Sequence, residues 1–268
     1  MILFLVFLAV ILLLLILALK GRRNAPGLEL LRNWAYAHRG LHGAGIPENS
    51  MAAFQKALES GYGIELDVHL MKDGNLAVIH DSSLKRTAGA DVRIEELTAE
   101  DLPNYRLEGT DEQIPLFKNV LSLFEGNAPM IVELKTADNY AILCQTVCDM
   151  LDQYSGVFCL ESFDPRCIIW LRKHRPELIR GQLAENYLAN PKNKLPYILK
   201  WALSWNLGNF LSRPDFIAYK FADSNHFTVA LCRKLWHIHG VTWTLRSKEE
   251  YDTAVSKGWT PIFESFQP

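Results

Sequence analysis

The sequence predicts a TIM-type (β/α)8 barrel on three observations. Strand-like and helix-like segments alternate about eight times after residue 34. Polar residues able to do chemistry recur at the carboxyl ends of the strand-like segments. The remaining length, about 240 residues once the apolar amino-terminal stretch is set aside, suits a closed barrel of about 250 residues. Such alternation argues for parallel strands, because each return to the same end of a sheet needs a crossover helix. An open doubly wound sheet is the alternative. It should carry a glycine-rich phosphate turn leading straight into a helix, and "HRGLHGAG" (38–45) is not followed at once by one.

Residues 1–19, "MILFLVFLAVILLLLILAL", contain no charge, glycine or proline. At 1.5 Å per residue this run approaches the roughly 30 Å of a bilayer core, so it is expected to be a transmembrane anchor. No basic residue precedes it, and it exceeds the apolar region of a secretory signal, which argues against cleavage. A buried core helix is the other reading, but the run is apolar on every face. "KGRR" follows and opens a basic linker over 20–33; by the positive-inside tendency it places the rest of the chain on the cytoplasmic side. The catalytic domain is expected over 34–268.

"WAYAH" (34–38) is a short apolar strand. "SMAAFQKALESG" is a helix with Ser50 as its amino-terminal cap and Gly61 as its stop. "YGIELDVHL" (62–70) and "LAVIH" (76–80) are strands, "PLFKNVLSLFEG" a helix, and "PMIVELK" (129–135) a strand rich in β-branched residues. A helix over about 138–154, the strand "GVFCLESF" and a helix capped by Asp164 with Pro165 in its first turn come next. "LIRGQLA", "DFIAYK", "VTWTL" and "PIFES" supply the remaining strands. The net charge of −2 offers no electrostatic reason to bind nucleic acid, and no feature points to a protein partner. The five cysteines have no metal-like spacing and read as buried free thiols.

In a parallel barrel the site lies at the carboxyl ends of the strands. Those ends carry His38 and Arg39; Glu65, Asp67 and His69; His80 and Asp81; Glu133 and Lys135; Glu161 and Ser162; Lys220; and Trp243. Side chains two apart on a strand face the same way, so Glu65 pairs with Asp67 and Glu133 with Lys135. Converging carboxylates need a cation between them, and a hard oxygen donor set suits Mg²⁺ or Ca²⁺. His38 and His80 supply an acid and a base near neutral pH. Arg39 and Lys135 supply positive charge for an anionic substrate. Each residue also has a plainer reading: a hydrogen-bonded structural histidine, a helix cap for "ELD", a surface ion pair for "ELK", a core tryptophan at 243. The joint pattern, one strand apart at each step, favours phosphate-ester chemistry.

"AHRG", "PENS", "IELDVHLMKDGNLAVIHD", "LKRT", "IPLF", "VELK", "ESF" and "VTWTL", in that order over residues 35–265, resemble the glycerophosphodiester phosphodiesterase family. The resemblance implies a barrel that hydrolyses glycerophosphodiesters to sn-glycerol 3-phosphate and an alcohol with one divalent cation, Mg²⁺ or Ca²⁺. It implies His38 and His80 as the acid–base pair and Glu65, Asp67 and Glu133 as metal ligands. It further implies Arg39 and Lys135 on phosphate, Glu48 and Asn49 of "PENS" lining the site, and Phe163 and Trp243 around the substrate. Residues of about 81–115 correspond to the family's small insertion. The nucleophile is either water or the glycerol 2-hydroxyl, and which histidine acts first is open. Ser265 of "PIFESFQP" stands where the family usually has an acid or amide. The aromatic stretch 193–212 reads as helix packing or as a hydrophobic lip for a lysophospholipid, which makes phospholipase D-type hydrolysis at a membrane the alternative activity. A non-catalytic phosphodiester-binding domain is the remaining one.

Overall fold

The computed structural model describes residues 1–268 apart from 24, 137 and 192. Among the described residues nine strands are present: β1 (Tyr36–His38), β2 (Gly63–Leu70), β3 (Leu76–Val78), β4 (Met130–Leu134), β5 (Phe158–Ser162), β6 (Arg180–Ala184), β7 (Phe216–Lys220), β8 (His239–Leu245) and β9 (Thr260–Phe263). Eight of them run parallel, and β1 pairs with both β2 and β9, which closes the barrel. The ninth, β3, is antiparallel to β2. Only Met71–Asn75 separate the two strands, too few residues for a crossover, so "LAVIH" returns as a hairpin arm outside the barrel.

The helices are α1 (Ile2–Ala18), α2 (Leu28–Arg32), α3 (Met51–Glu59), α4 (Lys85–Ala88), α5 (Phe117–Phe124), α6 (Tyr140–Leu151), α7 (Pro165–His174), α8 (Tyr197–Ser204), α9 (Asn209–Ser212), α10 (Phe227–Leu235) and α11 (Lys248–Ser256). The expected caps form. Ser50 Oγ accepts the Ala53 amide at the start of α3, and the Asp164 carboxylate accepts the Arg166 amide at the start of α7, where Pro165 needs no amide partner. In α5 the buried residues Phe117, Val120, Leu121 and Phe124 form the single stripe that an amphipathic helix presses on a sheet.

The core has three parts. The largest lies between the strands and the outer helices, with Phe54, Leu66, Val132, Leu160 and Phe263 among its members. A second fills the lower barrel interior with Tyr36, Ile131, Cys159, Phe216, Val241 and Ile262. Leu31 of α2 belongs to this cluster, held there by Tyr36 Oη donating to its carbonyl at 2.8 Å. The segment "GLELLRNW" therefore closes the base of the barrel. The third core, built from Met71, Ile79, Leu84, Ile94, Leu102 and Ile114, sits beneath the segment that follows β3. All five cysteines are buried and free.

The transmembrane anchor expected over 1–19 is found only as an apolar helix. At seventeen residues α1 rises about 25 Å, short of the roughly 30 Å hydrocarbon core. Among the described residues no helix is long and apolar enough to cross a membrane. Residues 2–14 of this helix are exposed, and Leu19 just beyond it is buried against the domain.

Gly181 marks where the barrel interior is tightest. A Cβ there would lie 2.0 Å from the ring of Phe216, the large side chain that fills the lower barrel. Gly181→Ala is expected to destabilise the protein by about 1–3 kcal/mol. The thermal midpoint should fall by about 2–4 °C per kcal/mol. An unchanged midpoint in a calorimetric scan would show that Phe216 has room to turn aside.

Candidate active site

The first strand ends at His38 and turns sharply. Gly40 has φ +79°, and a Cβ on it would lie 2.8 Å from the Ala53 Cβ of α3, so only glycine lets the loop pass this closely. Arg39 and Asn49, at φ 54° and 53°, also adopt the left-handed conformation. Both point side chains into the ion cluster described below, and strain of this kind persists where surrounding contacts over-determine it.

Three carboxylates meet at the centre of the mouth. Glu65 and Asp67 come from β2 and Glu133 from β4, where strand pairing sets Asp67 beside Glu133. All three are buried, and each offers an oxygen within 4.8 Å of the others. Lys135 Nζ lies 3.0 Å from Asp67 Oδ1 and 2.8 Å from Glu133 Oε1. Arg39 Nε lies 3.4 Å from Asp67 Oδ2, to which Asn49 Nδ2 donates at 2.8 Å. The Arg39 amide donates to Glu65 Oε2 at 3.2 Å.

The charges divide unevenly. Burial raises the Asp67 pKa, but Lys135, His80 and Arg39 outweigh it and hold this carboxyl well below its ordinary value. Burial and then the charges of Asp67 and Glu133 push Glu65 well above its own. Glu133 is pushed up to about 7, burial outweighing the opposing pull of Lys135. Two protein cations are thus too few to keep all three carboxylates ionised. An all-oxygen, buried and under-compensated donor set fits a hard divalent cation.

Each histidine is oriented by a carboxylate. His38 Nδ1 lies 3.1 Å from Glu264 Oε2, and its Nε2 faces Glu65 Oε2 at 3.8 Å. An ionised carboxylate only accepts, so the imidazole proton sits on Nδ1 and the Nε2 lone pair faces the cluster. His80 Nδ1 lies 2.6 Å from Asp81 Oδ1, which leaves its Nε2 available in the same way. Burial lowers both pKa values, that of His80 to about 4, so both rings are neutral bases near pH 7. The hydrogen bond from His38 holds the Glu264 carboxyl down at about 2.

A chain of ion pairs links the second histidine back to the first strand. Arg86 of α4 contacts Asp81 Oδ2 at 2.5 Å and Glu48 Oε1 at 2.6 Å, and Arg39 donates to the same Glu48 oxygen at 2.9 Å. His69 lies beneath, its Nε2 3.1 Å from the His80 carbonyl and its Nδ1 2.9 Å from Glu95.

The structure thus brings together His38, Arg39, Glu48, Asn49, Glu65, Asp67, His80, Glu133 and Lys135. Phe163 and Trp243 meet each other instead, edge to face at 5.5 Å, with Trp243 Nε1 donating to the Ala218 carbonyl at 3.1 Å. They pack on the interior cluster. Glu264 was not among the sequence candidates, because motif spacing pointed to Ser265. Strand register is the signal that finds it: Tyr36 pairs with Ile262 and Ala37 with Phe263, so the next residues, His38 and Glu264, fall side by side. In the sequence Arg86 is one residue of the "LKRT" motif, with no role of its own. Glu161, buried beside Glu133 with Oε2 unpartnered, is a strand-end carboxylate to which the motifs assign no role.

Residues 38–263 match the Glycerophosphoryl diester phosphodiesterase family. The chain belongs to this family. Among its curated relatives, lysophospholipase D GDPD1 of Rattus norvegicus is 37% identical over 131 residues, 44% of this chain and 40% of that protein. This member therefore matches less than half the length of that relative. A glycerophosphodiester phosphodiesterase of Caldanaerobacter subterraneus is 35% identical over 173 residues, 60% of this chain and 70% of that one. Among solved structures, an Oleispira antarctica phosphodiesterase in complex with the product sn-glycerol-3-phosphate shares the fold with a TM-score of 0.72 at 18% identity, covering 86% of this chain and 92% of that one. A Thermotoga maritima glycerophosphodiester phosphodiesterase is 26% identical with a TM-score of 0.64, over 86% and 93% of the two chains.

Glu264→Ala frees the His38 ring and removes the acceptor that fixes its tautomer. Activity on a phosphodiester is expected to fall about 10²–10⁴-fold, the span typical of a lost acid–base contribution. Glu264→Gln, whose amide oxygen still accepts from Nδ1, should recover part of it. Steady-state kinetics of the two variants at matched folding, checked by circular dichroism, makes the comparison; equal rates for both variants and the parent would remove Glu264 from the site.

Proposed function

We propose that the chain hydrolyses glycerophosphodiesters to sn-glycerol 3-phosphate and an alcohol, with one divalent cation, Mg²⁺ or Ca²⁺, held by Glu65, Asp67 and Glu133. The carrying observation is that these buried, under-compensated carboxylates share a barrel mouth with two carboxylate-oriented histidines. Family membership and the relatives' names support the same reaction. A divalent cation supplies Lewis-acid stabilisation for charge on the phosphoryl oxygens. Arg39 and Lys135 add donors for the same oxygens. One bare Nε2 takes a proton from the nucleophile, and the other ring, first protonated at Nε2 from solvent, delivers that proton to the departing alcohol oxygen; the imidazolium formed in the first step returns its proton to solvent. Glu48 and Asn49 hold Arg39 and Asp67 in place, and Phe163 with Trp243 forms an apolar wall for the substrate.

A lysophospholipid is the second substrate reading. It is favoured by the lysophospholipase D relatives and by the exposed Tyr197, Ile198 and Leu199 of α8. Trp201 and Trp205 support it less, since they are half-buried and packed on each other at 5.5 Å. The wholly apolar, exposed α1 supports attachment to a membrane, and the basic residues after it support a cytoplasmic barrel.

Alcohol release from glycerophosphocholine and from lysophosphatidylcholine, with Mg²⁺, Ca²⁺ or EDTA, tests these readings. Activity should vanish in EDTA and return with one of the cations. His38→Ala and His80→Ala should each lower kcat about 10²–10⁴-fold. Full turnover in EDTA, or in His38→Ala, would refute the assignment. Turnover of the soluble diester alone would discard the lysophospholipid.

A further inference from the structure

The base of the barrel carries a second concentration of charge, of the opposite sign to the mouth. Where α1 joins the domain, an open cavity of about 670 Å³ is lined by Lys20, Arg22, Arg23, Arg172, Arg180 and Arg213. Among the described residues, Asp215 is the only carboxylate in an ion pair with any of the six. Arg22 is fixed there, donating to Asp215 Oδ2 at 2.7 Å and to the Leu178 carbonyl at 3.3 Å. Four of the other five are steered by neutral groups. Arg172 donates to the carbonyls of Phe210 and Leu211 at 3.2 and 2.6 Å, and Arg213 Nε to that of Phe210 at 3.1 Å. Arg180, only 2% exposed, donates to the Arg213 carbonyl at 3.1 Å, and Lys20 lies 5.3 Å from the Trp236 ring. Carbonyl contacts orient a guanidinium without neutralising it, so the cavity keeps a large excess of positive charge.

Its surroundings are apolar. Phe210 and Leu211, whose carbonyls orient Arg172, are 45% and 48% exposed, and Leu235 near Trp236 is 45% exposed. The apolar α1 is anchored at the same place: Trp236 Nε1 donates to the Ile16 carbonyl at 2.9 Å, and the Arg22 amide to the Pro214 carbonyl at 2.9 Å. A basic cavity rimmed by exposed apolar residues at the root of an apolar helix matches the phosphate level of an anionic leaflet. Arginine forks suit phosphate oxygens.

We propose that this cavity binds the phosphate of an anionic phospholipid headgroup where α1 meets the bilayer. The site lies at the amino ends of β6 and β7, opposite the catalytic mouth, and needs none of the catalytic residues. It rests on the membrane attachment proposed above and not on the reaction.

The full chain is sedimented with vesicles of phosphatidylcholine alone and of phosphatidylcholine with phosphatidylglycerol. Lys20→Gln/Arg23→Gln is compared with Arg172→Gln, a second variant that leaves α1 and its linker untouched. The parent should bind the anionic vesicles more tightly, and added salt should erase the difference. The double variant should lose about tenfold or more of that preference, at roughly 1 kcal/mol per basic residue, and keep its binding to phosphatidylcholine. Turnover of a soluble diester should not change in either variant. Equal binding to both vesicle types, or a preference unchanged in both variants, overturns the lipid site. Binding to neither overturns it together with the membrane attachment. Stabilisation of the parent by inorganic phosphate that the variants lose, without any vesicle preference, would mean that free phosphate is the ligand and also overturns it.

Discussion

Three carboxylates forced into one dry barrel mouth set the terms for everything around them. Glu65, Asp67 and Glu133 cannot all be ionised at close range without positive charge between them. Lys135 and Arg39 meet part of that demand, and the unequal pKa values show what is left unmet. The neighbouring structure follows from this requirement. Arg39 must reach inward, so the backbone after β1 accepts a left-handed turn and Gly40 lets the loop lie against α3. Asn49 must hold Asp67, so the "PENS" loop returns to the mouth before α3 begins. The irregular stretch between β1 and α3 thus brings Glu48 and Asn49 back to the strand end.

The segment after β3 joins the same network from outside. It has its own small core, separate from that of the barrel interior. Arg86 on it bridges Asp81 and Glu48, and Glu95 on it holds His69 beneath the backbone of His80. His80 is therefore positioned from two sides, through its ring by Asp81 and through its carbonyl by His69. His38 gains its equivalent support from the barrel itself, through Glu264 on the strand that closes the ring. Two histidines with matching tautomers thus derive from unrelated pieces of structure. Such a match is expected where both present Nε2, rather than Nδ1, to one reacting group, one to take a proton and the other to give one.

Much of this arrangement was legible in the chain, because it depends on local rules. Alternation of strand and helix implied parallel pairing, period-two spacing put Glu65 with Asp67 and Glu133 with Lys135, and the caps at Ser50 and Asp164 followed from residue type. What local rules cannot supply is the relation between distant strands. Glu264 sits 226 residues from His38, and only the register of β1 on β9 makes them neighbours. The same holds for α2, which falls in the stretch that the sequence reads as a basic linker until closure of the barrel shows that Leu31 fills its base. The anchor fails on length: nineteen uncharged residues read as a full span, but the helix ends at Ala18 because the chain turns there to bury Leu19 and to pair Arg22 with Asp215.

That turn explains why the two ends of the barrel carry opposite charge. At the mouth, carboxylates from β2 and β4 exceed the cations that face them; at the base, arginines from α7, β6 and the linker exceed one aspartate. A chain with net charge −2 could place these groups in mutual pairs, and it keeps them about a barrel length apart. Each cluster alone is costly, since like charges raise the free energy of the folded state. That cost is met where each cluster finds its counter-charge outside the chain. A divalent cation would answer the first deficit, and the anionic lipid proposed above would answer the second. On this argument the net charge hides the informative quantity, which is the local imbalance at each end of the barrel.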